Sequence, residues 1–385
     1  MFYNILIKTV SEDCNMACEY CYYSHVAGHP RGIRVPSLEI LQKLLRDYLV
    51  TCGPVASIAW QGGEPLLAGL NFFRQVVALE ARYGQARQII SNAVQTNGIL
   101  LSPEWATFFR QYRFLVGVSL DGPQAIHDQS RVDAGGHGTF SRVMRGLACL
   151  RQNGVEFNIL TVVGPHNVRK GSELLRFFGD SGLRWVQFIP QMAFSAQNSS
   201  VPGLFAITPQ EYGDFLCETF DIWYNDGQPV LSIRYFDNVL QSYLGDTPEI
   251  CTMQAQCPSQ LTIESNGDIY ACDFYMDEDG KIGNVMAIPL IDAFASEGYR
   301  RFAALKPALP EPCRACSWFK HCQGGCPRNR TWDPAQSDTA DYFCESFKQF
   351  FAYADSRLRK LAKKLMRHRL INVAPLSVGN EGNRS

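Results

Sequence analysis

From residue 3 to residue 190 the chain alternates short apolar runs with stretches whose apolar residues recur every three or four positions. The runs Tyr3–Ile7, Ser57–Trp60, Ile89–Val94, Phe114–Leu120, Val155–Val163 and Trp185–Ile189 have the length and composition of buried strands. Between them Ser37–Leu49, Leu70–Tyr83, Pro103–Tyr112, Phe140–Gln152 and Lys170–Ser181 read as amphipathic helices. Such alternation with short links predicts a parallel sheet with right-handed crossovers. Six units fall short of the eight of a closed barrel. An α/β fold built on a partial, open (β/α)6 barrel is therefore expected over residues 1–190.

Residues 191–250 read as a bridging region, with an aromatic-rich helix over Pro209–Asn225 and a further segment beginning at Ser232–Asp237. Residues 251–370 form a cysteine-dense segment that ends in a helix over about Cys344–Arg369. Within it, Leu261–Ile263 and Ile269–Ala271 flank Asn266-Gly267 as a hairpin. The end of the terminal helix is basic, which suits a helix C-terminus and a solvated face. Residues 371–385 read as a disordered tail.

Composition narrows the function classes. The 36 basic and 37 acidic residues leave a net charge of −1, so no global field favours nucleic acid or an anionic membrane. The first ten residues lack the basic start of a signal peptide, and no apolar run approaches the roughly 20 residues a bilayer needs. A cytoplasmic protein is expected. In that reducing compartment the 14 cysteines point to metal ligation or catalysis rather than disulfides. They are also segregated: three crowd into 14–21, eight fall between 251 and 344, and only Cys52, Cys149 and Cys217 lie apart as core filler.

The strand ends gather the chemistry. The first strand runs into the cysteine loop, the second into Gln61-Gly62-Gly63-Glu64-Pro65, the third into Gln95-Thr96-Asn97-Gly98 and the fourth into Ser119-Leu120-Asp121-Gly122. C-terminal strand ends form the catalytic face of parallel α/β folds. One site is being assembled from several loops.

Cys14, Cys18 and Cys21 are spaced to ligate a cubane iron–sulfur cluster, which takes one cysteine per iron. Three protein ligands leave one position open, as in a catalytic metal site. A zinc site completed by His25 or His29 is the competing reading of the residues alone. The Cys-x3-Cys-x2-Cys loop, with Tyr20 before its last cysteine, resembles the signature of the radical S-adenosylmethionine (SAM) superfamily, and Gly62-Gly63-Glu64-Pro65 supports the same resemblance. The resemblance implies that the open iron binds the SAM amino and carboxylate groups and that reductive cleavage gives a 5′-deoxyadenosyl radical. It assigns Glu64, with the backbone of Gly62 and Gly63, to the amino group, and Ser119 and Arg131 to the carboxylate. Gln61 and Tyr23 would line the adenosyl pocket. Taken singly, Arg131 could be a surface ion pair, Gln61 an outer residue and Ser119 a turn residue.

The later cysteines are Cys251, Cys257, Cys272, Cys313, Cys316, Cys322, Cys326 and Cys344, the number two fully ligated clusters need. Spacing alone leaves their partition open, and Cys313-x2-Cys316 also suits zinc. The run from Cys313 to Cys326, closed by Cys344, resembles the SPASM domain. That resemblance implies one auxiliary cluster on Cys251, Cys257, Cys272 and Cys326 and a second on Cys313, Cys316, Cys322 and Cys344, hence three [4Fe–4S] clusters with SAM.

Together with Ser232-Ile233-Arg234-Tyr235-Phe236-Asp237 and Cys272-Asp273-Phe274-Tyr275, these motifs resemble the anaerobic sulfatase-maturating enzymes over roughly residues 3–355. Tyr22 departs from them, standing where that family often has Phe. The resemblance implies an oxidoreductase that converts a Cys or Ser of a sulfatase to Cα-formylglycine, with a flavodoxin or ferredoxin as electron donor. Asp273, set against a cluster ligand and the Phe274–Tyr275 wall, suits a general base; capping a turn is its bland alternative. The alternative functions are a SPASM peptide maturase forming thioether or other crosslinks, and a non-enzymatic electron carrier. An enzyme resting on three clusters should be oxygen-labile: aerobic purification is expected to bleach its brown colour and abolish SAM cleavage, and activity retained in air would contradict this.

Overall fold

The computed structural model describes residues 3–23, 33–193, 204–330 and 339–373. Its centre is a sheet whose first six strands are β1 (Asn4–Lys8), β2 (Val55–Gln61), β3 (Ile89–Thr96), β4 (Leu115–Ser119), β5 (Phe157–Val163) and β6 (Trp185–Pro190). They lie side by side in chain order and every pair is parallel. Helices α1 (Leu38–Thr51), α2 (Gly69–Tyr83), α3 (Pro103–Tyr112), α4 (Gln124–Ser130), α5 (Phe140–Gln152) and α6 (Gly171–Asp180) fill the crossovers. The expected helices form; α4, only seven residues long, carries too little periodicity to be read from sequence.

Local chemistry sets the helix starts. Ser37 caps α1 by accepting from the Ile40 N–H, and Ser102 does the same for α3, whose first residue is Pro103. Strand alternation then divides the sheet into two faces. Ile58 and Trp60 of β2, Val94 of β3 and Val116 and Val118 of β4 are buried outward, where Trp60 meets Phe72 and Phe73 of α2 edge to face. The inward positions are small or polar: Ala59 and Gln61, Ala93 and Gln95, Gly117 and Ser119. A closed barrel packs that interior with branched side chains; here it stays hollow.

The sheet is open, with different strands at its two edges. After β7 (Met192–Ala193) and β8 (Leu204–Phe205) comes α7 (Pro209–Tyr224), begun by a capping box of Thr208 and Glu211. β9 (Ser232–Ile233) joins β6 in parallel. The segment at 232–237, expected only to bridge, instead opens helix α8 (Arg234–Leu244). At the other edge β10 (Gln260–Ile263) pairs in parallel with β1, followed by antiparallel β11 (Asp268–Tyr270) and β12 (Lys281–Asn284). The expected hairpin is therefore part of the central sheet, and residues 251–370 are fastened to the barrel rather than strung beside it.

The terminal helix runs Cys344–Val373 and presses Phe350, Phe351, Ala354, Leu358 and Leu361 into the core beside α7 and α8. Part of its basic end is spent within the protein: Arg357 pairs with Asp221 at 2.6 Å and Lys364 donates to the Gly227 carbonyl at 3.1 Å. The rest of the expected tail, 374–385, lies outside the described residues, as do His25 and His29. Among the described residues no helix is long and apolar enough to cross a membrane.

A buried chain ties α2, β2 and β3 together. The Trp60 indole donates to Asn92 Oδ1 at 2.8 Å, and the Asn92 amide donates to both Glu80 oxygens at 3.0 and 3.1 Å. Burial pushes the Glu80 carboxyl up from 4.5 to about 7. Between those values the unfolded chain has released a proton that the folded chain keeps, so stability falls as pH rises through this window. Glu80→Gln should remove a loss on the order of 3 kcal/mol, at 1.36 kcal/mol per pH unit. Anaerobic denaturant unfolding at pH 5 and pH 8 checks this, with the variant gaining on the wild type only at the higher pH.

Candidate active site

Beyond Lys8 the chain turns at once into the loop carrying Cys14, Cys18 and Cys21. That loop is seated on the end of β2. The Thr9 N–H donates to the Gln61 carbonyl at 2.7 Å, and the Glu64 N–H to the Asp13 carbonyl at 2.9 Å. So close an approach leaves no room for side chains. A Cβ on Gly63 (φ +45°) would stand 1.9 Å from the Asp13 oxygen, and one on Gly62 (φ +85°) 2.9 Å from the Lys8 Cα and the Ser11 oxygen. What the glycine pair admits first is the cysteine loop itself.

Glu64 lies beneath this contact, fully buried. Its Oε1 accepts from the Leu66 N–H at 3.0 Å and the Thr96 hydroxyl at 2.8 Å, and its Oε2 from the Asn97 N–H at 2.7 Å. Both oxygens are committed to clamping the ends of β2 and β3, and Glu64 does not reach the cavity wall. The resemblance assigns Glu64 to the SAM amino group; here its oxygens accept from Leu66, Thr96 and Asn97 behind the cavity wall.

Arg131 follows α4 and is also buried. Its Nη1 donates to the Tyr20 hydroxyl at 2.7 Å, which donates to Asp121 Oδ2 at 2.6 Å. His166 stacks on Tyr20 and stands 3.8 Å from the same carboxylate. Burial works against an ionised Asp121, but His166, Arg131 and Tyr20 hold its carboxyl below the usual range. Arg131 Nε is left buried with no hydrogen-bond partner. An orphaned guanidinium donor suits an incoming carboxylate.

Every expected SAM-side residue except Glu64 lines one cavity of ≈ 200 Å³, together with the three loop cysteines. A second cavity, ≈ 450 Å³, occupies the hollow of the sheet over Ala59, Ala93 and Gly117, and is reached by Asp273, Cys251 and Cys326. Tyr22, Gln61, Gln95, Met192 and Phe274 wall both. Within that shared wall the Gln61 amide donates to Gln95 Oε1 at 2.6 Å. A larger recess of ≈ 680 Å³ lies on the outside near Cys316 and the terminal helix, and none of the SAM-side residues lines it.

Asp273 receives the Tyr22 hydroxyl on Oδ2 at 2.8 Å, with the Lys8 ammonium 3.7 Å from the same atom and the Cys272 thiol 3.6 Å from Oδ1. Lys8 is 1% exposed and sits 4.3 Å over the Tyr23 ring. The Tyr23 hydroxyl in turn donates to Glu264, just beyond β10.

Two family models match: the radical SAM superfamily over residues 9–178 and the iron–sulfur cluster-binding SPASM domain over residues 251–317. The cysteine-type anaerobic sulfatase-maturating enzyme of Clostridium perfringens is 35% identical over 94% of this chain and 99% of its own length. The serine-type enzyme of Bacteroides thetaiotaomicron is 34% identical over 94% of this chain and 92% of its own. This chain belongs to the anaerobic sulfatase-maturating enzyme family. Native anSMEcpe, solved with bound AdoMet and Cp18Cys peptide, superposes with a TM-score of 0.87 at 34% identity, covering 95% of this chain and 100% of that one. Streptococcus suis SuiB bound to precursor peptide SuiA, at 16% identity and a TM-score of 0.62 over 89% of this chain and 75% of that one, shares the fold.

The radical SAM and SPASM domains carry iron–sulfur and SAM chemistry, and the thiols of this chain fit it. Burial, then the charge of Glu64, pushes the Cys14 thiol up to about 12, so a cationic group is needed to hold it as a thiolate. Cys313, Cys316, Cys322 and Cys344 all line one small cavity. Cys251 stands near enough to Cys257, Cys272 and Cys326 for its charge to act on each. Among the described residues no three Cys, His, Asp or Glu side chains converge on a single ion; a cubane instead takes one thiolate at each iron. Of the stray cysteines Cys52 is buried, while Cys149 and Cys217 are half-buried on α5 and α7.

Sequence reasoning missed Lys8, and the one available signal was a lysine closing an apolar strand at the catalytic end of a parallel sheet. It also missed the tie from Tyr20 to Asp121, since residues 101 apart meet only after folding. Gly63→Ala should dislodge the cysteine loop and lower iron by about four per chain, one cubane's complement, with SAM cleavage lost. Iron analysis and 5′-deoxyadenosine chromatography check both.

Proposed function

We propose that this chain oxidises a cysteine or serine side chain of a sulfatase polypeptide to Cα-formylglycine, using SAM and three [4Fe–4S] clusters. The observation that carries this reading is the shared wall: the cavity with the cysteine loop and Arg131 adjoins the one that holds Asp273. A radical formed in the first would meet a peptide side chain in the second without crossing solvent.

Cys14, Cys18 and Cys21 would hold the SAM-binding cluster. Cys251, Cys257, Cys272 and Cys326 would hold one auxiliary cluster, and Cys313, Cys316, Cys322 and Cys344 the other, so that residues 251–370 act as the auxiliary-cluster domain of a 1–190 radical SAM core joined through 191–250. Ser119 and Arg131 would take the SAM carboxylate, the latter through its unpartnered Nε. The backbone of Gly62 and Gly63 would meet the amino group, with Glu64 supporting it from below, and Gln61 and Tyr23 would bound the adenosyl group. Bound SAM, once reduced, supplies the 5′-deoxyadenosyl radical that takes a hydrogen atom from the substrate Cβ.

Asp273 then accepts the thiol or hydroxyl proton. Tyr22 and Lys8 both hold Oδ2. With Cys272 ligated as a thiolate, Oδ1 receives no hydrogen from it, so Oδ1 is the oxygen left for the substrate proton. The neutral thioaldehyde or aldehyde follows once an electron has also left, and water releases sulfur from the former. A flavodoxin or ferredoxin fits as donor, and the reducing cytoplasm fits so thiol-rich a protein.

The reconstituted protein, incubated anaerobically with SAM, dithionite and a sulfatase peptide carrying Cys-x-Pro-x-Arg or Ser-x-Pro-x-Arg, should yield the aldehyde peptide by mass spectrometry together with 5′-deoxyadenosine. 5′-Deoxyadenosine with an unchanged peptide would transfer the activity to another client. Asp273→Asn should lower aldehyde formation by about a hundredfold or more while SAM cleavage persists. Equal loss of both would deny Asp273 its role as base.

A further inference from the structure

Lys306 is 1% exposed at the end of the helix Glu297–Leu305. Its ammonium donates to the Thr252 carbonyl at 2.8 Å and to the Gly325 carbonyl. Thr252 follows Cys251 and Gly325 precedes Cys326, so one cation ties together the two loops that carry these cysteines. Arg330 fixes the tie from behind, donating to the carbonyls of Lys306, Ala308 and Gly324. No Asp or Glu among the described residues lies within ion-pair distance of Lys306. Asp341, which feels its charge, is committed to the N–H groups of Cys326 and Phe343.

A buried ammonium is costly unless an opposite charge meets it. Carbonyls satisfy its hydrogens but not its charge. Besides Asp341, whose oxygens are already taken, the groups able to carry negative charge that act on Lys306 are the thiols of Cys326, Cys257 and Cys251. The other cysteine set is served differently: half-buried Arg330, which also acts on Cys257, and then Lys348 act on Cys313, and Lys348, which acts on Cys344 too, is 39% exposed and already paired with Glu345. Charges near the surface are screened more than buried ones. Only the first set, through Cys251 and Cys326, lines the cavity that holds Asp273.

We propose that Lys306 is the fixed counter-charge of the cluster held by Cys251, Cys257, Cys272 and Cys326, and that it raises this cluster's reduction potential above that of the other auxiliary cluster. The inference rests on the cluster assignment above. Reduction adds negative charge, which a buried cation stabilises, and net local charge is one of the levers that set such potentials. The consequence for the reaction is a division of labour. After the hydrogen atom has gone from Cβ, Asp273 takes the S–H or O–H proton, the bond from carbon to sulfur or oxygen becomes double, and the remaining electron passes to the cluster beside the cavity. Lys306 is a positioning residue that makes this cluster the first acceptor.

Potentiometric electron paramagnetic resonance of the full chain tests this, in a background where Cys14, Cys18 and Cys21 are replaced by Ala so that only auxiliary signals remain. Lys306→Gln keeps N–H donors for the carbonyls and removes the charge; Lys306→Arg keeps the charge. In Lys306→Gln one auxiliary cluster should become at least about tenfold harder to reduce, about 59 mV for one electron, with the other unmoved and Lys306→Arg near the parent. Unchanged potentials in Lys306→Gln at full iron content overturn the proposal. Loss of about four irons from a folded Lys306→Gln protein also overturns it, making Lys306 a structural tie alone. A parent that binds no auxiliary iron overturns the cluster assignment and the proposal with it.

Discussion

The backbone of Ser11 and Asp13 rests on Gly62 and Gly63 at a distance that no side chain permits, and the geometry of the cavity at the cysteine loop depends on that contact. It fixes the cysteine loop against the end of β2 and lets the Glu64 N–H bond to the Asp13 carbonyl. Glu64 then carries the constraint into β3 through Thr96 and Asn97. Three strand ends are thereby locked before any cofactor arrives. Preorganisation of this kind is what radical chemistry demands, since a reactive intermediate must meet its target without a search through solvent.

A second constraint acts through the sheet's inner face. Ala59, Ala93 and Gly117 leave a hollow that bulkier residues would fill, and β10 and β11 close the β1 edge while leading the chain on to Cys272 and Asp273. The cysteine-dense segment thus supplies part of the cavity wall. Cys251, Cys326, Asp273 and the cavity they line are held by one continuous piece of structure. Lys8, at the far end of β1, reaches the same carboxylate as Tyr22 and joins the two halves chemically.

Much of this was legible in the chain. Period-two and period-3.6 patterns gave the six parallel strands and five of the six crossover helices to within a few residues, because each has one buried face to mark it. Cysteine spacing pointed to clusters because thiols segregated so sharply serve no packing purpose. The pairing of β10 with β1 was not legible: a short hairpin carries no signal for which edge it joins. The fate of Glu64 was also hidden, since a carboxylate after two glycines looks the same whether it faces a ligand or caps its own scaffold. Nothing in the sequence marks Lys306 off from a surface lysine; its burial shows only in the fold.

If the two cavities share a wall, a hydrogen atom can pass directly from peptide to SAM-derived radical. The measurement that tests it is turnover of a sulfatase peptide deuterated at the Cβ of its target residue, with mass analysis of the 5′-deoxyadenosine formed. Direct transfer places deuterium in 5′-deoxyadenosine in proportion to the aldehyde produced. Oxidised peptide accompanied by unlabelled 5′-deoxyadenosine would contradict it.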